Sequence, residues 1–239
     1  MGAAGCSGAG LRVLAGTHPA SADTAYTVNT AADAVDATIG DACLTAAGKC
    51  SLRAAIQEAN ANPDLTVITL KEKTHKITIL GMDEDAGATG DFDLSSPITI
   101  QGVTAATSIV DANFIDRAFD LHADAALTLA NATVRNGFTA GQGGAIAAEV
   151  AGTSVTATNV VFQGNNSRGR AARPARSMVG HWVIQRSTFV DNLTSAGRRA
   201  LFLRSGGAIF DSLFDDNSAE YGGAITTYSL DLRDRGYPF

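Results

Sequence analysis

The chain has 239 residues and a formal net charge of −6, and 45% of its residues are hydrophobic while 18% are charged. This apolar content is enough for a packed core and excludes global disorder, and the acidic charge argues against nucleic acid as the main partner. No apolar run approaches the roughly 18 residues that would suggest a membrane span. With 25 glycines and 5 prolines, the composition favours short strands and tight turns over long helices.

Residues 1–24 form an N-terminal segment of mostly small and polar residues. The tripeptide Ala20–Ala22 resembles a signal-peptidase site, but the apolar patch before it, Leu11–Ala15, is too short for a clear signal peptide. Two interpretations stay open, a disordered tail or the remnant of a signal peptide, and we expect the folded part to begin near residue 25.

The most specific stretch of the sequence predicts one short helix that begins after Ser51 and ends near Asn60. Ser51 is a favourable N-cap, and Pro63 prevents the helix from continuing much further. The apolar residues that would share one face of this helix are Leu52, Ala55, Ile56 and Ala59.

Two of the three cysteines lie close together before this helix. Six residues separate Cys43 from Cys50, a spacing that allows a disulfide in an oxidising compartment. The alternative is two unpaired thiols, and a metal site is less favoured because no histidine or further cysteine is nearby. Cys6 would then have no partner.

The segment matches a known motif at Cys43, Cys50, Ser51, Leu52, Arg53, Ala55 and Ile56. It resembles the family of exported bacterial β-helix proteins named for a Cys-Ser-Leu-Arg-Glu-Ala motif, and the resemblance covers most of residues 25–110. The family has Glu where this chain has Ala54, so the capping box of the family is missing here. The resemblance implies a capping segment over residues 25–62, a β-helix over residues 63–239, and a secreted or cell-surface location.

Short segments rich in β-branched residues follow from residue 65 onward, and later segments repeat. The repeats end in turn asparagines that are 25 to 29 residues apart, namely Asn136, Asn165, Asn192 and Asn217. Gly-Gly-Ala-Ile recurs at residues 143, 206 and 222. A period in the twenties indicates a solenoid, so we predict an all-β, right-handed parallel β-helix with a short N-terminal capping helix; a β-sandwich is the alternative.

The repeat is interrupted by an arginine-rich segment, residues 168–204, which holds eight arginines and one acid, Asp191. Three interpretations remain open: a solvated loop inserted between coils, a basic patch for an acidic polysaccharide, or a shifted reading frame in the gene. After residue 225 the sequence shows neither another asparagine turn nor a cap, which favours a chain that is incomplete at its C-terminal end.

Candidate catalytic groups are sparse. The carboxylates that could hold a weakly bound Ca²⁺ are Asp83, Asp85, Asp91 and Asp93. The four histidines are scattered, and no nucleophile or zinc motif is present, so we assign no catalytic residue and expect no other cofactor.

We therefore expect a non-catalytic, adhesin-like protein, secreted or on the cell surface, whose partner is a polysaccharide or cell-surface glycan. The alternative is a polysaccharide lyase or glycoside hydrolase built on the same fold.

Overall fold

The computed structural model describes residues 24–82, 84–141, 143–148, 150–168, 181–194, 201–203, 207–219 and 225–227. Several predictions lie outside these residues: the N-terminal segment up to residue 23, Cys6, Asp83, most of the arginine-rich segment, and the C-terminal end after residue 227. No helix within the described part of the chain is long and apolar enough to cross a membrane.

The first elements are β1 (Thr24–Thr27), α1 (Leu52–Asn60), β2 (Thr66–Thr69), β3 (Thr74–Lys76), β4 (Phe92–Leu94), β5 (Pro97–Gln101), β6 (Ile109–Asp111), β7 (Phe119–Leu121), β8 (Ala126–Ala130), β9 (Thr133–Arg135) and β10 (Phe138–Thr139). The later elements are β11 (Ile146–Ala147), β12 (Ser154–Thr158), β13 (Val161–Gln163), β14 (Asn166–Ser167), β15 (His181–Gln185), β16 (Thr188–Val190), β17 (Leu193–Thr194), β18 (Leu201–Leu203), β19 (Gly207–Phe210), β20 (Leu213–Asp215), β21 (Ser218–Ala219) and β22 (Ile225–Thr227).

The strands stack into parallel sheets that run along a solenoid. The longest sheet has the order β1-β2-β5-β8-β12-β15-β19, and a second has the order β3-β6-β9-β13-β16-β20. Each described strand pairs with an equivalent strand one coil away, as in β8 with β12, so the chain winds once around the axis between the two paired strands. The predicted parallel β-helix with one short helix is confirmed, and the β-sandwich alternative is excluded because sandwich sheets are antiparallel.

The core is built from columns of apolar side chains that point inward at equivalent places in successive coils. Strands of the longest sheet alternate buried and less buried residues, which is the period of two that a strand imposes. One such column consists of Ile68, Ile100, Leu129, Ala157, Ile184 and Ile209. In the second sheet Phe162 and Phe189 stack with ring centroids 4.7 Å apart, and Phe189 and Phe214 stack at 4.6 Å.

Helix α1 lies at the start of the solenoid and is buried from Leu52 to Ala59. Ser51 is its N-cap, as the sequence predicts: its Oγ accepts a hydrogen bond from the backbone N of Ala54 at 3.0 Å. Ala54 is itself fully buried, so the position at which the resembling family carries Glu faces packed protein in this chain. Helix α1 contacts β2, β4 and β5, which places it over the first coils.

The predicted turn asparagines occupy two different positions of the coil. Asn136 directly follows β9 and has a left-handed φ of 57°. The residues that take this place after β13, β16 and β20 are Gly164, Asp191 and Asp216, with φ of 61°, 55° and 45°. Asn165, Asn192 and Asn217 lie one residue later and have no positive φ, so Asn136 is offset by one position from the other three.

Asn165, Asn192 and Asn217 form a ladder of amides along the solenoid. Nδ2 of Asn165 donates to Oδ1 of Asn192 at 3.1 Å, and Nδ2 of Asn192 donates to Oδ1 of Asn217 at 2.9 Å. Each Nδ2 also donates to a main-chain carbonyl one coil earlier, at Val134 and Phe162 for the first two. These side chains therefore join successive coils inside the solenoid.

The Gly-Gly-Ala-Ile strings also do not share one place in the coil. Ile146 lies in β11 and Ile225 in β22, and each of these strands follows an asparagine-containing turn and belongs to a sheet distinct from the longest one. Ile209 instead lies in β19, at the end of the longest sheet. The second string is thus shifted to a neighbouring face of the solenoid relative to the first and third.

Candidate functional site

Arg53, one of the residues that match the sequence motif, is a buried cation at the junction of the helix and the first coils. Its side chain is 1% exposed, and its Nε lies 2.6 Å from Oδ1 of Asp33, whose side chain is 2% exposed. Nη2 donates to the carbonyl of Gly90 at 2.7 Å, and Nη1 donates to the carbonyls of Gly87 at 2.9 Å and Asp91 at 3.1 Å. One guanidinium therefore binds both the loop before the helix and the turn of residues 84–91 before β4, which we call the acidic turn.

Other polar side chains of α1 bind the same two segments. Gln57 accepts a hydrogen bond from the backbone N of Asp36 at 2.8 Å and donates to the carbonyl of Gly87 at 3.3 Å. Asn60 donates to the carbonyl of Asp93 at 2.7 Å. The apolar residues of the motif, Leu52, Ala55 and Ile56, lie in the core. The motif thus holds the acidic turn against the helix, which fixes the backbone that presents the carboxylates.

The acidic turn leads into a paired carboxylate and imidazole. Oδ1 of Asp93 lies 2.8 Å from Nε2 of His122, and Oδ2 of Asp93 accepts a hydrogen bond from the backbone N of Gly87 at 2.9 Å. The side chain of Asp93 is 2% exposed and that of His122 is 29% exposed. Burial raises the pKa of Asp93, and the hydrogen bond from His122 opposes that rise. The buried carboxylate therefore orients an imidazole that solvent can reach.

Arg117 lies among three further carboxylates next to this pair. Its Nη1 donates to Oδ2 of Asp120 at 2.7 Å, and its Nε lies 3.2 Å from Oδ2 of Asp91 and 3.7 Å from Oδ1 of Asp116. Burial, followed by the charges of Asp116 and Asp93, raises the pKa of Asp91 to about 8, although Arg117 opposes the shift. Asp91 therefore favours its protonated form more than an exposed aspartate does, and Arg117 offsets part of the charge of Asp116 and Asp120.

The structure separates the predicted calcium ligands into two groups. Asp85 is exposed and lies near Asp93, whereas Asp91 is turned toward Arg117. A possible set of metal ligands contains Asp85, Asp93 and His122, whose ligand atoms lie within 4.8 Å of one another. The arrangement can bind a cation or present an oriented imidazole.

Sequence reasoning missed His122, Arg117 and Asp120 as members of this cluster. A signal for them was present, because Phe-Asp-Leu occurs at residues 92–94 and again at residues 119–121. These tripeptides are β4 and β7, which pair in register so that Asp93 lies beside Asp120. Treating the tripeptide as one coil repeat would have placed His122, the residue after the second tripeptide, in the coil next to Asp93.

The predicted disulfide is confirmed. Cys43 and Cys50 are bonded, their Cα atoms are 5.0 Å apart, and both residues are buried. The bond closes the loop that precedes Ser51, so it braces the start of the capping helix.

The outer face of the longest sheet carries a row of threonines at one level of adjacent strands. Thr99, Thr128 and Thr156 are direct neighbours in register across β5, β8 and β12. We call these three residues the threonine row. Within the described part of the chain their hydroxyls make no hydrogen bond to protein, although Thr128 is exposed and the other two are partly exposed. The row is therefore available to an external ligand.

A second row on the same face ends in an exposed aromatic ring. It consists of Thr69, Gln101, Ala130, Thr158, Gln185 and Phe210. Phe210 is 51% exposed, so much of its ring surface reaches solvent. Hydroxyls, amides and one aromatic ring thus share a single face.

Together, the fold and these surfaces define a parallel β-helix protein with a disulfide-braced helical cap. Comparison with protein-family models, with curated proteins and with solved structures finds no match to this chain.

Proposed function

We propose that this chain is a non-catalytic, adhesin-like β-helix protein of the bacterial cell surface or of the secreted fraction, and that it binds an extended glycan along the threonine row. The observation that carries the proposal is the set of in-register hydroxyls that have no protein partner within the described residues. Parallel strands repeat every ~4.8 Å, so the row offers donors and acceptors at regular intervals to a linear chain of sugars.

Two further features support a glycan as the ligand. Gln101 and Gln185 on the neighbouring row add amide donors and acceptors, and Phe210 adds an apolar ring surface against which a sugar ring can pack. The face is the outer surface of a sheet, and small ligands are usually bound in concave pockets, so an extended ligand suits this face better.

The disulfide supports the proposed location. Disulfides persist in oxidising compartments such as the periplasm and the cell exterior, and they are rare in the cytosol of mesophiles. The bond between Cys43 and Cys50 is consistent with a chain that folds after export.

Binding of the purified chain to a panel of neutral and acidic polysaccharides tests the proposal. The variant replaces all three residues of the threonine row by valine, which keeps side-chain shape and strand propensity while it removes the hydroxyls. Loss of three hydrogen bonds of about 0.5–1.5 kcal/mol each should weaken binding by at least about tenfold. Thr188→Val, on the second sheet, is the matched control.

Two results would overturn the proposal: wild-type protein that retains no polysaccharide of the panel, or a triple valine variant that binds as tightly as Thr188→Val. Circular dichroism of both variants shows whether the β-helix is intact. Phe210→Ala should also weaken binding, whereas Phe114→Ala, an exposed ring that is not part of the threonine row's sheet, should not.

A polysaccharide-cleaving enzyme is the second candidate, and the oriented pair of Asp93 and His122 is the observation that favours it. An imidazole held by a buried carboxylate is a common general base. Incubation of the same polysaccharides with the protein and Ca²⁺ tests this candidate. Shortened products that disappear in His122→Gln would replace the binding proposal with an enzymatic one.

A further inference from the structure

Three segments that are distant in sequence converge on one point beside the capping helix. Asp85 comes from the acidic turn, Asp93 from β4, and His122 from the residue after β7. One ligand atom from each lies within 4.8 Å of those of the other two. The set contains an imidazole nitrogen as well as carboxylate oxygens, so it differs from an ordinary patch of surface acids.

The buried member of this set is already oriented by a second hydrogen bond. Gly87 N donates to Oδ2 of Asp93, which leaves Oδ1 directed at His122. Gly87 is in turn fixed because its carbonyl accepts hydrogen bonds from Arg53 and Gln57. Outer hydrogen bonds of this kind hold metal-ligating carboxylates in place in proteins.

A second acidic cluster on the cap lacks these properties. It contains Asp36, Asp41 and Glu58. Both carboxylate oxygens of Asp36 accept backbone hydrogen bonds from residues 38 and 44, and Glu58 accepts one from Gly40. These carboxylates brace the loop around the disulfide, and the cluster has no imidazole.

We propose that Asp85, Asp93 and His122 form a binding site for a divalent transition-metal ion of the zinc class. A zinc ion takes imidazole nitrogen and carboxylate oxygen together and accepts four ligands, so three protein groups and one water complete its shell. Calcium requires six to eight oxygen ligands, which this set does not offer. Asp85 and His122 reach solvent, so small rotations of their side chains can bring the ligand atoms to bonding distance.

Binding of the ion replaces the hydrogen bond between Asp93 and His122. The proton on Nε2 moves to Nδ1, so that the Nε2 lone pair faces the metal, and Oδ1 of Asp93 becomes the second ligand. The ion would then link the acidic turn, which Arg53 holds to the cap, with the end of β7. The three ligands come together only in the folded chain, so the ion would bind the folded state in preference to the unfolded one and stabilise the fold.

The experiment uses the full chain carrying Cys6→Ser, because a free thiol binds zinc on its own. The protein is stripped with a chelator and titrated with Zn²⁺, with Co²⁺ as a spectroscopic probe and with Ca²⁺ for comparison. We expect Zn²⁺ to bind with one site per chain and to raise Tm, and Co²⁺ to give a four-coordinate absorption spectrum. We expect Ca²⁺ at the same concentration to leave Tm unchanged.

Variants assign the site. His122→Gln and Asp85→Asn should each weaken Zn²⁺ binding by tenfold or more, and neither should abolish folding, since both side chains reach solvent. His181→Gln and Asp64→Asn, at exposed positions elsewhere, are the matched controls. The proposal is overturned if the stripped chain binds no Zn²⁺, if His122→Gln and Asp85→Asn bind it as the controls do, or if Ca²⁺ stabilises the chain as much as Zn²⁺. Glycan binding is measured separately, so its failure leaves this result unaffected.

Discussion

Arg53 and Asp33 form an ion pair that is hidden from solvent, with Nε and Oδ1 2.6 Å apart and both side chains at most 2% exposed. The pair joins the loop after β1 to the capping helix. Asp33 also accepts hydrogen bonds from the backbone N of Thr78 and of Ile79. The carboxylate therefore reaches from the cap into the first coil, and the arginine reaches from the helix into the acidic turn.

Removing the cation from this pair should be costly. Arg53→Met leaves the buried carboxylate of Asp33 without its cation and the carbonyls of Gly90 and Asp91 without their side-chain donor, so we expect the free energy of unfolding to fall by about 3–5 kcal/mol. Arg135→Met is the control, because Arg135 pairs with Asp111 but is 33% exposed. We expect the control to lose about 1 kcal/mol or less. Urea denaturation followed by circular dichroism measures both, and equal losses would contradict the role given to Arg53.

The disulfide should stabilise the cap by restricting the unfolded chain. Replacing both Cys43 and Cys50 by serine opens a loop with a sequence separation of 7. Chain-entropy arguments put the loss at about 2–3 kcal/mol for a loop of this size. Thermal denaturation measures the stability of this variant and of Cys6→Ser, the control that leaves the disulfide intact. A Cys6→Ser variant as unstable as the double serine variant would show that the bond is not the cause.

The amide ladder should depend most on its central member. Asn192→Ala removes the donor to the Phe162 carbonyl and the acceptor of two hydrogen bonds from Asn165, all of them buried. Leaving these groups unpaired should cost about 2–4 kcal/mol. Asn159→Gly is the comparison: this residue has a φ of 54°, which glycine adopts without strain, and we expect a change of less than about 1 kcal/mol. Equal destabilisation by the two would argue against the ladder.

Phe114 has a left-handed backbone although its side chain is large and exposed. Its φ is 57° and its side chain is 59% exposed, so little packing is lost when the side chain is removed. The left-handed region costs about 1–2 kcal/mol for residues other than glycine, so Phe114→Gly should leave the free energy of unfolding unchanged or raise it by up to about 1 kcal/mol. Met82→Gly, exposed and without positive φ, should lower it by about 0.5–1 kcal/mol. Chemical denaturation of both glycine variants shows whether the free energy of unfolding changes in opposite directions.

The buried imidazole of His75 should make stability depend on pH. Burial lowers the pKa of His75, the charge of Lys73 lowers it further, and the carbonyl of Lys71 opposes the shift. Within the described residues neither ring nitrogen has a hydrogen bond of normal geometry, and the small cavity beside the ring is also lined by Arg53, Asp33 and Lys76. The folded state therefore favours the neutral ring.

A lowered pKa in the folded state means that the unfolded chain takes up the proton first. The contribution of His75 to the free energy of unfolding is fully present above the ordinary histidine pKa of about 6.5. It is lost as the pH falls from there through the pKa of His75 in the folded state, by at most about 1.4 kcal/mol per pH unit. Urea denaturation between pH 7.5 and pH 5 should show a smaller loss for His75→Leu than for the wild type. His181→Leu, at an exposed position, should keep the wild-type slope; a shared slope among all three would contradict this assignment.

The sequence predicts the fold because its signals are periodic. Asparagine turns 25 to 29 residues apart and short β-branched segments require stacked coils, and Ser51 with its apolar partners requires a helix before them. The offset of Asn136 could not be predicted, since asparagine fits both the left-handed turn position and the adjacent ladder position. Asparagine serves both as a left-handed turn residue and, one position later, as a hydrogen-bonding residue of the ladder.

The candidate site was only partly predictable for a related reason. The acidic turn stands out in the sequence, but the partner of Asp93 is His122, which is 29 residues away and belongs to the next coil. The partner of Arg53 is likewise 20 residues away in an irregular loop. Contacts between coils depend on which residues lie side by side in paired strands. The first coils differ in length, so local sequence patterns do not reveal this register.

The reach of Arg53 has a consequence for the order in which the chain can acquire its structure. The guanidinium binds carbonyls 34 to 38 residues further along the chain, so the cap is complete only after residue 91 is in place. Each later coil then docks on a strand edge that the preceding coil has already formed. A polypeptide that becomes free to fold N-terminus first would thus nucleate at the cap and extend by the addition of one coil after another, with each finished coil as the template for the next.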